Sequence, residues 1–157
     1  MEFFKKQKVA FYGLCVSAIL ILIGMIMFEF VYSAGYEAFG QQTQTAGTEV
    51  IVYTIIAIAL FAVAILLSQF SFEGVTAKIL SVVVDLALIA AGVLIGMAIV
   101  STISAYVYDV GIWVGSDLHN GDDALIATMK LGIASTVVYV VGLLVASVTT
   151  CFSIVKK

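Results

Sequence analysis

The chain has 157 residues, 63% of them apolar and only 11% charged, with a net charge of −3 and a mean hydropathy of +1.21. A soluble domain needs charged surface to stay in solution, so this composition argues against a water-soluble fold and suits an apolar solvent. There is no arginine, all seven basic residues being lysine, which argues against nucleic-acid recognition, phosphate clamps and voltage sensing; the two cysteines, Cys15 and Cys151, are too few for a disulfide scaffold.

A membrane helix needs about 20 largely apolar residues to cross roughly 30 Å of hydrocarbon at about 1.5 Å per residue. Four stretches qualify, and the predicted helices are 9–30, 50–69, 79–108 and 124–155. The first follows a basic start, Lys5, Lys6 and Lys8, as a signal peptide would. Its apolar run of about 20 residues exceeds a signal core of roughly 7–15, so an uncleaved first transmembrane helix is expected. Residues 31–49 read as a loop with three glycines and the polar run Gln41–Thr45. Ser71–Gly74 reads as a short turn, and 110–123 as a second loop rich in glycine and aspartate. Strands are not expected, because the runs lack the period-2 alternation of a lipid-facing barrel and an open sheet cannot satisfy its backbone in lipid. No soluble domain, long linker or heptad array is evident. The predicted fold is therefore all-α: one polytopic four-transmembrane-helix bundle over 1–157.

Charge predicts the orientation. Lys5, Lys6, Lys8, Lys78, Lys156 and Lys157 fall on one side of this topology, and Glu37, Glu49, Asp109, Asp117, Asp122 and Asp123 on the other. Lysine in short loops marks the cytoplasmic side, so both termini are expected there, with the 31–49 and 110–123 loops outside. Tyr32, Tyr36, Tyr106, Tyr108 and Trp113 cluster at the outer boundary as an aromatic belt should. Lys130 is the exception, and it is expected to snorkel to the outer interface.

Asp85 is the residue most suggestive of function, since a carboxylate in hydrocarbon is costly. At about 100° per residue, Ser81, Asp85, Gly92, Gly96 and Ile103 share a face of the third helix, which is expected to contact another helix. The bland reading sets Asp85 at the inner interface, because the third helix is longer than one crossing requires. Gly92-x-x-x-Gly96 permits close helix approach. Similar small-residue stripes are Gly13, Ser17 and Gly24 on the first helix, Ala57, Ala64 and Ser68 on the second, and Ser135, Gly142, Ala146 and Thr149 on the fourth. Every predicted helix thus has a packing side. Glu29 and Lys130 are a candidate ion pair at the outer mouth, set against an interfacial carboxylate in water.

Asp117, His119, Asp122 and Asp123 contain the only histidine. Their spacing fits neither an EF-hand nor zinc, and Asp122 and Asp123 read more simply as helix caps. No metal site, cofactor or catalytic constellation is expected: a triad needs its histidine beside a nucleophile, and a single histidine leaves bis-histidine haem ligation without its second ligand. Cys15 and Cys151 read as small packing residues.

The topology is similar in outline to eukaryotic tetraspan families such as the MARVEL-domain and claudin proteins. The claudin signature of a tryptophan and paired cysteines in the first outer loop is absent. An acid in the third helix, here Asp85, resembles the Casparian-strip membrane proteins of plants, which also carry an arginine in the first helix that this chain lacks. No family is assigned. The function expected is a non-catalytic assembly or accessory subunit that packs against other membrane proteins or copies of itself in the bilayer, with no nucleic-acid partner. The alternative is a homo-oligomeric pore with an acidic, cation-attracting mouth, lined by Ser101, Thr102, Ser104 and Thr136.

Overall fold

A computed structural model describes residues 9–39, 44–67, 74–115 and 123–150. Each segment is one α-helix: α1 Val9–Phe39, α2 Gln44–Leu67, α3 Gly74–Gly115 and α4 Asp123–Thr150. Each contains a stretch long and apolar enough to cross a membrane: Ala10–Val31, Gly47–Leu67, Gly74–Ser104 and Met129–Thr150. The described protein is all-helical, with the four candidate spans of a multi-pass membrane protein.

The helix ends correct the sequence reading. Residues 31–39, 44–49 and 110–115, expected as loop, are helical, and α3 begins at Gly74 rather than Ile79. Leaving hydrocarbon does not end a helix, because its backbone hydrogen bonds are internal, and no proline is present to stop one. The 42 residues of α3 span about 63 Å at about 1.5 Å each, twice a hydrocarbon core of about 30 Å. The helix therefore continues well past its apolar stretch, and α1 does so at the same end. Gly74 has φ +65, a left-handed conformation that glycine adopts without strain and other residues do not. The expected helix ends at 68–69 and 151–155 lie outside the described residues, as do Ser71–Glu73 and 116–122.

Consecutive helices run antiparallel. The α1–α4 and α2–α3 seams are the extensive ones, α3–α4 and α1–α2 are slighter, and α1 and α3 barely touch across the diagonal. The bundle is thus two tight antiparallel pairs laid side by side. The buried positions follow a strict alternation of three and four residues in every helix. On α1 they run Leu14, Ser17, Ile21, Gly24, Phe28, Val31, and on α2 Val50, Thr54, Ala57, Phe61, Ala64. On α3 they run Val84, Leu88, Ala91, Ile95, Ala98, Thr102, and on α4 Gly132, Ser135, Tyr139, Gly142, Ala146, Thr149. That is heptad spacing, the signature of shallow, left-handed knobs-into-holes packing. A heptad array is therefore present where none was read. Hydrophobicity does not reveal it, because in lipid the outward faces are as apolar as the inward ones.

Polar contacts reinforce the α1–α4 seam. Ser17 Oγ donates to the Gly142 carbonyl at 2.7 Å, and Ser135 Oγ donates to the Gly24 carbonyl at 2.9 Å. A Cβ on Gly24 would lie 3.0 Å from the Tyr139 ring, one on Gly142 2.9 Å from Ile21 Cγ1, and one on Gly13 would overlap the Thr149 side chain. These three glycines let the backbones approach. At the bundle centre, Tyr139 of α4 and Thr54 of α2 share a buried hydrogen bond of 2.7 Å, tying one pair to the other across the diagonal.

Candidate functional site

The small-residue positions divide into two groups. Gly13, Ser17, Gly24, Gly142 and Ala146 belong to the intramolecular seams just described. Gly92 and Gly96 do not. A Cβ at Gly96 would meet nothing within 4 Å, and one at Gly92 only Leu143 Cδ1, at an ordinary 3.9 Å. The face expected to pack, Ser81–Asp85–Gly92–Gly96–Ile103, lies one residue round the helix from the buried row. Asp85 and Ile103 are exposed and Ser81, Gly92 and Gly96 half-buried. The core side of α3 is decided instead by Ala91 and Ala98, whose methyls let Val84, Leu88 and Ile95 interlock with α2.

That face borders a crevice. Where the α3–α4 seam loosens, a cavity of about 400 Å³ opens between the two helices, lined by Asp85, Leu88 and Gly92 of α3 and by Ala146 and Thr150 of α4, with Phe61 of α2 beside them. The volume falls at the lower end of the range for small-molecule and side-chain pockets. Asp85 has no hydrogen-bond or ion-pair partner among the described residues. Ser147, also on the crevice, donates to the Leu143 carbonyl at 2.8 Å, and Thr150 to the Ser147 carbonyl at 2.7 Å. Both hydroxyl protons are thus directed along their own helix.

Continuing the Gly24–Ser135 register by five residues sets Glu29 level with Lys130. Among the described residues no ion pair joins them: Glu29 is half-buried and Lys130 is exposed. Of the pore-lining candidates, Thr102 is buried with its hydroxyl on the Ala98 carbonyl, Thr136 bonds the Gly132 carbonyl, and Ser101 donates to Glu49 Oε2 at 3.2 Å. Ser104 is exposed. Cys15 is a free, half-buried thiol. Cys151, Asp117, His119 and Asp122 lie outside the described residues, as do the side chains of Asp123 and of the aromatic residues expected as a belt.

Sequence reasoning missed the Thr54–Tyr139 pair. Its signal was two hydroxyl side chains near the middle of otherwise apolar runs, where a polar group needs a partner. Comparison with known family models, curated proteins and solved structures finds no match for this chain, so the reading of function rests on the residues and their geometry.

Proposed function

We propose that this chain is a non-catalytic assembly or accessory subunit of a membrane complex, docking copies of itself or other membrane proteins through the outward face of α3. The observation that carries the reading is the open space over Gly96, with Gly92 one turn before it meeting only the tip of Leu143. On α1 and α4, by contrast, Gly13, Gly24 and Gly142 each face side chains of the opposite helix. On α3 a motif suited to close helix approach faces away from the chain's own core, with exposed Val93, Met97 and Val100 around it. The lysine distribution supports an orientation with both termini in the cytoplasm.

The pore reading draws less support. Tyr139, Phe28 and Phe61 fill the centre of the bundle, so a pore would have to form between copies. Three of the four candidate lining hydroxyls, those of Ser101, Thr102 and Thr136, are engaged within the chain.

Cysteine crosslinking in native membranes tests the proposal, in a background with Cys15 and Cys151 replaced. Gly96→Cys is expected to form crosslinked species, to itself or to a partner, that Val63→Cys on the exposed side of α2 does not. No product at Gly96, or equal products at both positions, would remove the assembly role of α3.

A further inference from the structure

The α3–α4 crevice has a one-sided chemistry. Asp85 brings a carboxyl with no partner among the described residues, and Thr150 directs its proton to its own helix, leaving oxygen lone pairs toward the opening. Ser147, whose hydroxyl donates to the Leu143 carbonyl, is the other polar residue on the crevice, and the remaining walls, Phe61, Leu88, Ile89, Gly92, Leu143 and Ala146, are apolar. An occupant must be apolar along its length and must bring a hydrogen-bond-donating cation to Asp85. An intramembrane carboxylate is ordinarily paired with such a group.

Depth decides between sources of that cation. Lys78 lies on the same stripe of α3, two helical turns before Asp85, or about 10 Å along the axis. Lysines near a membrane boundary reach for the headgroups, so in the lysine-based orientation proposed above Asp85 lies deeper than Lys78 by that distance. A lipid amine would have to sink by that distance to meet it. A basic side chain mounted on a membrane helix arrives there by construction, its methylenes lying against the apolar walls. Two turns further along the stripe, the absence of a side chain at Gly92 leaves room for the incoming backbone.

We infer that the crevice between α3 and α4 receives a transmembrane helix of a partner protein bearing a lysine or arginine opposite Asp85. The inference rests on the assembly reading of α3 and adds the chemistry of the partner.

The test uses the full chain, donor-labelled, in phosphatidylcholine vesicles with acceptor-labelled polyleucine transmembrane peptides. The peptides are identical except for Lys, Leu or Glu at the depth of Asp85. The Lys peptide is expected to bind about tenfold more tightly than the Leu peptide. Asp85→Asn should remove most of that preference, and Asp85→Lys should transfer it to the Glu peptide. The charge reversal shows that a change in binding is not a loss of fold. Equal binding of the Lys and Leu peptides to the unmodified protein, or a preference unchanged by Asp85→Asn, would overturn the inference. Vesicles containing phosphatidylethanolamine separate the lipid source: a lysine preference that survives supports a helix partner, and one abolished by the lipid amine makes the crevice a headgroup site instead. Crosslinking at Gly96 does not depend on Asp85, so failure of the ion pair and failure of the assembly face are read separately.

Discussion

Ser17 of α1 donates to the carbonyl of Gly142 on α4, and the contact is returned in mirror form by Ser135 of α4 to Gly24 of α1. In each helix the serine precedes its glycine by seven residues, so the two antiparallel helices meet with a local pseudo-twofold symmetry. The glycine does two things at once. It removes the Cβ that would hold the helices apart, and it uncovers its own carbonyl for the serine opposite. The heptad spacing places both residues on the buried row, so one repeat supplies close approach and a polar fastening together.

Removing either fastening should cost little and removing both somewhat more. Ser17→Ala and Ser135→Ala are each expected to destabilise the bundle by about 0.6 kcal/mol, the usual worth of an interhelical hydrogen bond in a membrane. The two changes should be nearly additive, because the bonds lie two turns apart. Unfolding titrations in mixed detergent micelles measure this; a loss of several kcal/mol from one serine would show that it does more than fasten the seam.

Filling the glycine side of the seam should cost more. Gly13→Ala places a methyl against Thr149, a β-branched residue whose hydroxyl is bonded to the Val145 carbonyl at 2.6 Å and which has little freedom to turn. A loss of about 1–3 kcal/mol is expected. Thr149→Ala in the same chain should restore most of it, a coupling that a double-mutant cycle detects. Full additivity of the two changes would mean that the helices separate instead of clashing.

Much of this seam is legible in the sequence. Ser17 and Gly24 on α1, Ala57 and Ala64 on α2, and Ser135, Gly142, Ala146 and Thr149 on α4 stand out as stripes of small residues, and all are buried. Small size is a usable signal in lipid because apolarity is not: Ile19 and Ile21 are equally hydrophobic, yet one faces outward and the other the core. The same rule chose the adjacent face on α3, where Gly92 and Gly96 drew attention from Ala91 and Ala98. Helix ends were misjudged because hydropathy reports where the apolar stretch stops, whereas the hydrogen-bonded helix of α3 runs on to Gly115. Asp85 stands out in the sequence as a carboxylate in an apolar run, but the crevice beside it depends on how α3 and α4 pack, which no local pattern encodes.

The Tyr139–Thr54 bond joins the two helix pairs, and its removal separates hydrogen bonding from packing. Tyr139→Phe keeps the ring over Gly24 and is expected to cost about 1 kcal/mol. Tyr139→Ala empties the largest fully buried side chain among the described residues and should cost about 3–5 kcal/mol. Comparable losses from both variants in the same unfolding titration would mean that the hydroxyl pair, and not the ring, holds the centre.

The two kinds of glycine should respond oppositely to a bulky side chain. Gly96→Ile has open space before it and should leave the stability of the isolated chain within about 0.5 kcal/mol, with some gain from replacing a helical glycine. Gly142→Ile, against Ile21, should prevent the α1–α4 seam from closing. Thermal unfolding of the two variants in detergent, compared with the unmodified chain, distinguishes them.

The central claim is that the outward face of α3 is an assembly surface. The most direct measurement is the mass and protein content of the complex extracted in native lipid nanodiscs, for the unmodified chain and for Gly96→Ile. The account predicts a species larger than one 16.7 kDa chain, built from further copies or another membrane protein, that falls to a single folded chain in the variant. A single chain in native lipid with no other protein, or a complex whose mass Gly96→Ile leaves unchanged, would contradict it.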